Sequence, residues 1–80
     1  MYLTTDLIRI AAAGGGLRID ASKFITTDLI RIAAAASNQR SILILENTGN
    51  ILTSDKIRIA AAGKGSVIFN LTDWYYEEWC

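Results

Sequence analysis

Two rhythms of apolar and polar residues alternate along this chain. In the stretch Thr4-Thr5-Asp6-Leu7-Ile8-Arg9-Ile10-Ala11-Ala12-Ala13, the residues Leu7, Ile10 and Ala11 fall on one stripe at helical spacing. Ile8 and Ala12 widen that stripe into a broad apolar face. A short helix is predicted, with Asp6 in its first turn, where the helix dipole favours negative charge. The preceding threonines offer hydroxyls to cap free backbone N–H groups. Asp6 and Arg9 are three residues apart and share one helix surface. Gly14 is expected just past the helix end, where a left-handed residue often stands.

The second rhythm follows each helix. Leu17-Arg18-Ile19-Asp20-Ala21 alternates apolar and polar, as an edge strand with one wet face does. Ile42-Leu43-Ile44-Leu45 is apolar throughout, which fits a strand that is central or covered on both sides. Val67-Ile68-Phe69-Asn70-Leu71 is intermediate. An order of α-β-α-β-α-β predicts a parallel sheet with the helices as crossovers. Aligned on their strands, Ile19, Leu45 and Phe69 form one column, Asp20, Glu46 and Asn70 the next, and Ser22, Thr48 and Thr72 another.

The alternation repeats because the sequence does. The decapeptide at Thr4 returns unchanged from Thr26 to Ala35, and again from Thr53 to Ala62 with changes only at Ser54 and Lys56. Asp28/Arg31 and Asp55/Arg58 keep the same spacing, and Asn38 and Gly63 are expected just past the helix ends of the later copies, as Gly14 is in the first. Self-similarity at such a period signals a repeat architecture. The expected fold class is α/β: three tandem helix-strand repeats, about 4–25, 26–52 and 53–72, forming a short solenoid with a small parallel sheet, followed by a tail at 73–80. Ten identical positions out of ten mean recent duplication or deliberate assembly.

The unit resembles a leucine-rich repeat of the helix-bearing type, best from Ile32 to Ile59. There Ile32-Ala33-Ala34-Ala35-Ala36 looks like the end of a repeat helix, and Ile42-x-Ile44-x-x-Asn47 looks like the strand signature. The resemblance implies a curved solenoid whose strand face binds another protein. The other copies depart from it, with Ala21-Ser22 and Leu71-Thr72 where asparagine would stand.

Composition narrows the function classes. Eighty residues make one domain, burying only roughly 60% of the unfolded surface. Eight basic and eight acidic residues cancel, leaving no net field to attract nucleic acid. The balance is uneven, since Asp73, Glu77 and Glu78 all lie in the tail while every Lys and Arg precedes it. The chain has no histidine, the usual general base and metal ligand near neutral pH. Its one cysteine, Cys80, permits neither an intrachain disulfide nor a zinc cluster. Arg9, Arg31 and Arg58 interrupt the apolar stretches well short of the ~20 residues of a membrane span. No signal peptide is evident, so a cytoplasmic protein is expected, with no cofactor, metal, nucleic acid, membrane or small-molecule substrate.

No catalytic set stands out. Asp20, Glu46, Asp73, Glu77 and Glu78 show no spacing that pairs an acid with a base. Ser and Thr have no histidine to activate them. Gly14-Gly15-Gly16 and Gly63-Lys64-Gly65-Ser66 follow helices and precede strands, the reverse of a phosphate loop, and read as turns. Asn70-Leu71-Thr72 matches a glycosylation sequon, which has no meaning without secretion.

Interaction residues remain. The column Asp20, Glu46 and Asn70 is either a recognition surface or simply a wetted edge. The tail holds Trp74, Tyr75, Tyr76 and Trp79 between acids, the composition of contact hot spots and equally of a cap on a repeat stack. An appended handle ending in Cys80 is a third reading. Unpaired strand edges invite pairing with another chain, and Tyr2, Trp74 and Trp79 are expected at such a joint. The expected function is a non-enzymatic protein-protein interaction or self-assembling module, with a protein partner or a homo-oligomer. The alternatives are a small phage or mobile-element inhibitor that occludes a host enzyme, and an engineered repeat scaffold.

Overall fold

A computed structural model describes residues 3–72, and each copy of the decapeptide is a helix there: α1 Thr4–Ala12, α2 Thr26–Asn38 and α3 Thr53–Gly63. Between and after them run β1 Leu17–Asp20, β2 Leu43–Glu46 and β3 Val67–Phe69, with a 3₁₀ turn at Ala21–Lys23. The sheet is parallel throughout, in the order β1-β2-β3. Leu17, Leu43 and Val67 stand in one register row, and Ile19, Leu45 and Phe69 in another, as the strand alignment predicts. The chain is thus mixed α/β, with three helices and a small parallel sheet, and β2 is the central strand.

The helices form one layer, α1 beside α2 and α2 beside α3, and each also touches its own strand. Leu43 and Leu45 point into this layer and are fully buried with Leu29, Ile32, Ala33 and Ile59. Leu17, Ile19, Val67 and Phe69 pack around that core from the flanking strands. Of the two readings of β2's apolar run, central or covered on both sides, the central one holds: on its other face Ile44 is half-buried and Ile42 is exposed. Three helices suffice for one face of three strands, and the second face has no layer against it among the described residues.

The helix starts differ from expectation. The residues that flank them are Leu3, Ile25 and Leu52, and no side chain caps any of the three. The threonines are instead the first helical residues, and their hydroxyls reach sideways. Thr4 donates to Asp28 at 3.1 Å, and Thr26 donates to Asp55 at 3.4 Å. Each hydrogen bond ties one helix to the first turn of the next. The same carboxylates carry the intrahelical ion pairs, Arg31–Asp28 at 3.9 Å and Arg58–Asp55 at 3.6 Å.

The helix ends also divide. Gly14, at φ +98°, closes α1 with paired hydrogen bonds from Gly14 to Ala11 and from Gly15 to Ile10. The equivalent residue of α2 is not Asn38, which is still helical, but Arg40 at φ +56°. In α3 the helix runs through Gly63, and Lys64 takes the left-handed conformation. Gly63 is there for space: a Cβ on it would collide with the Val67 side chain. Ser41 finishes the joinery, its hydroxyl donating to the Ala11 carbonyl at 3.3 Å from a buried position before β2.

Candidate functional site

The strand face that no helix covers among the described residues is the site to which the sequence columns lead. Strand alternation turns Arg18 and Asp20, Ile44 and Glu46, and Ile68 and Asn70 away from the helices. Ile42 and Ile68, 44% and 50% exposed, make its apolar part. Arg18 is directly opposite Ile44, which puts Glu46 on its diagonal. Arg18 Nε donates to Glu46 Oε2 at 3.1 Å, and Asn70 Nδ2 donates to Glu46 Oε1 at 2.9 Å. Both carboxylate oxygens are therefore engaged, and Glu46 links all three strands.

Asp20 stands beside Glu46 in the register and takes a different role. Its Oδ1 accepts from the Ser22 hydroxyl at 2.6 Å and the Ser22 backbone N–H at 3.0 Å, fixing the 3₁₀ turn after β1. Asn70 repeats this arrangement after β3, accepting from Thr72 at the same 2.6 and 3.0 Å. In the middle copy Glu46 is a carbon too long for the role. Asn47 adopts φ +55° instead, and the buried Thr48 hydroxyl donates to the Asn70 carbonyl at 3.5 Å.

These hydrogen bonds set the acidity of the face. The Ser22 hydroxyl, then the Asn47 side chain, hold the Asp20 carboxyl below its ordinary value. The Asn70 amide, then Arg18, do the same for Glu46. Both groups are stabilised as anions, so neither is a proton donor near neutral pH. Among the described residues there is no cluster of three or more acidic, histidine or cysteine side chains able to hold a metal, and no helix is long and apolar enough to cross a membrane.

Of the interaction residues expected from sequence, Asp20, Glu46 and Asn70 come together on this face. Tyr2, Trp74, Tyr75, Tyr76 and Trp79 lie outside the described residues. Arg18 and Ile68 were not picked out by sequence as interaction residues. Period-two alternation from Asp20 and Asn70 is the signal that would have found Arg18 and Ile68. Asn47, singled out in sequence only as the asparagine of the strand signature, enters through a left-handed backbone. No protein-family model, curated protein or solved structure matches this chain.

Proposed function

We propose that this chain is a non-enzymatic protein-interaction module, a short α/β solenoid that binds another protein on its uncovered strand face. One observation supports this most: three isoleucines on that face stand together with no covering layer among the described residues. Ile42, Ile44 and Ile68 form an apolar strip, bordered by the Arg18–Glu46–Asn70 network. An apolar centre with a hydrogen-bonded polar border is the anatomy of a protein interface. The network also holds the border side chains in place before a partner arrives, which lowers the entropy cost of binding. The anions Asp20 and Glu46 favour a partner that sets an apolar side chain on the strip and hydrogen-bond donors beside it.

The test is selection of peptide binders from a displayed library against the whole chain, followed by rebinding to Ile68→Arg and Arg18→Ala. Ile68 and Arg18 are both exposed, so each variant is expected to keep its circular dichroism and melting curve. Loss of the selected binders on Ile68→Arg, with partial loss on Arg18→Ala, supports the strand face. Binders indifferent to both changes would place the interaction elsewhere and refute the reading.

A further inference from the structure

The two ends of the helix row are complementary to each other. α1 and α2 share an identical decapeptide, yet the same side chains meet different surroundings. Ile10 is 40% exposed, whereas its equivalents Ile32 and Ile59 are fully buried. Those two have a preceding helix to pack against, and among the described residues α1 has none. The opposite face behaves in mirror fashion. Ala11 and Ala33 are fully buried and Ile8 and Ile30 are half-buried, while Ala60 is exposed and Ile57 is 64% exposed. Those faces are covered by a following helix, and α3 has none among the described residues.

Each decapeptide therefore carries one face for its predecessor and another for its successor. The hydrogen-bond ladder has the same polarity, running from Thr4 to Asp28 and from Thr26 to Asp55. Among the described residues its unused terms are the Asp6 carboxylate at one end and the Thr53 hydroxyl at the other. The sheet agrees. Leu17 N–H donates to Ile42 at 2.9 Å, and Leu43 N–H donates to Ser66 at 2.7 Å. In each case the first residue of a strand donates to the residue before the next strand, so among the described residues the Val67 N–H is left for the residue before a further strand.

We infer that this chain binds a second copy of itself head to tail. The outer face of α3 enters the groove lined by Asp6, Arg9, Ile10 and Ala13 on α1 of the next copy. β3 pairs in parallel with the next copy's β1, Val67 in register with Leu17. Thr53 donates to the next Asp6, Ile57 and Ala60 cover the next Ile10, and the Val67 N–H meets the carbonyl of the next Gly16. This joint continues the two already made within the chain, with one change. Lys56 stands where Leu7 and Leu29 are buried. It lies one turn beyond Thr53, so its ammonium faces the next copy's Asp6, and the joint is an ion pair as well as an apolar contact. That makes it weaker in high salt. Such an interface is heterologous, so association continues from dimer to longer oligomers unless it closes into a ring.

The surface is separate from the strand face, and the two proposals stand or fall independently. The test is sedimentation velocity of the full chain across a wide concentration range, in reductant so that Cys80 links nothing. The chain is expected to grow in mass with concentration and to shrink with added salt. Ile10→Arg and Ile57→Arg each block one end at an exposed position, so each alone is expected to remain monomeric and folded. An equimolar mixture retains one intact joint and is expected at twice the monomer mass. Ile42→Arg, on the open face beside the central strand and away from both sheet edges, is expected to assemble like the parent. A parent chain that stays monomeric would overturn the inference, as would occupation of these faces by residues 73–80 of the same chain, which leaves the parent monomeric. A single variant that still dimerises alone would show a symmetric joint and overturn it equally.

Discussion

The isoleucine at the seventh place of the decapeptide offers one perturbation at three sites of identical local sequence. Truncation to alanine removes three carbons, worth about 2.4 kcal/mol in transfer free energy when all are buried. At Ile32 and Ile59, both fully buried, the cavity left behind adds to that, giving about 3–4 kcal/mol. At Ile10, 40% exposed, only about 1.4 kcal/mol of transfer applies, and water fills the space so the cavity term falls away. The gain in helix propensity on Ile→Ala is common to all three and cancels in the comparison. Urea unfolding of the three variants at low protein concentration, with a common slope, measures the differences. A chain of this size has only about 4–12 kcal/mol in total, so Ile→Val, at about 0.5–1.5 kcal/mol when buried, serves wherever alanine unfolds the protein. Equal losses at the three positions would refute the account, because they would mean that neighbouring helices do not decide what each copy buries.

The remaining expectations follow from single contacts. Gly63→Ala forces a Cβ against the Val67 side chain and is expected to cost about 1–3 kcal/mol in the same assay. Arg40→Gly relieves a left-handed residue at the end of α2 and is expected to raise stability by about 0.5–1 kcal/mol, seen as a higher urea midpoint. A double-mutant cycle of Thr4→Val with Asp28→Asn is expected to show a coupling of about 0.5–1.5 kcal/mol, and the longer Thr26–Asp55 pair a smaller one. Glu46 and Asp20 have folded-state values depressed below their ordinary 4.5 and 3.8, so the unfolded chain binds more protons in that range. Their contribution is fully present above the ordinary values and is lost as pH falls through them toward the folded values. The urea midpoint is expected to drop between about pH 6 and about pH 3, and to drop less in Glu46→Gln.

The helices and strands were legible because their signals are local. A period of 3.6 in each decapeptide and a period of two after it require no knowledge of neighbours, and the parallel order follows from the alternation of the two. The column Ile19, Leu45 and Phe69 was legible for the same reason, since copies of one unit pair in equivalent registers. The helix starts were misread because a threonine hydroxyl has two kinds of partner. Capping uses its own backbone, whereas Thr4 uses Asp28, which is distant in sequence and adjacent in space. Asn38 and Gly63 were expected just past their helices and are instead the last helical residues, the left-handed position falling later, at Arg40 and Lys64. α2 continues to Asn38, and α3 carries Gly63 into the core against Val67.

Sequence by itself determined the elements, their order and the repetition of their faces, because backbone periodicity and side-chain polarity are properties of each residue and its near neighbours. Tertiary structure alone decided which copy of a side chain is core and which is surface. Ile10, Ile32 and Ile59 are the same residue in nearly the same decapeptide, and burial separates them because burial belongs to the neighbour and not to the residue. It also decided that Glu46, rather than Asp20 or Asn70, gathers the strand face. Only the central strand has a neighbour on each side, Arg18 on one and Asn70 on the other, to take both oxygens of one carboxylate.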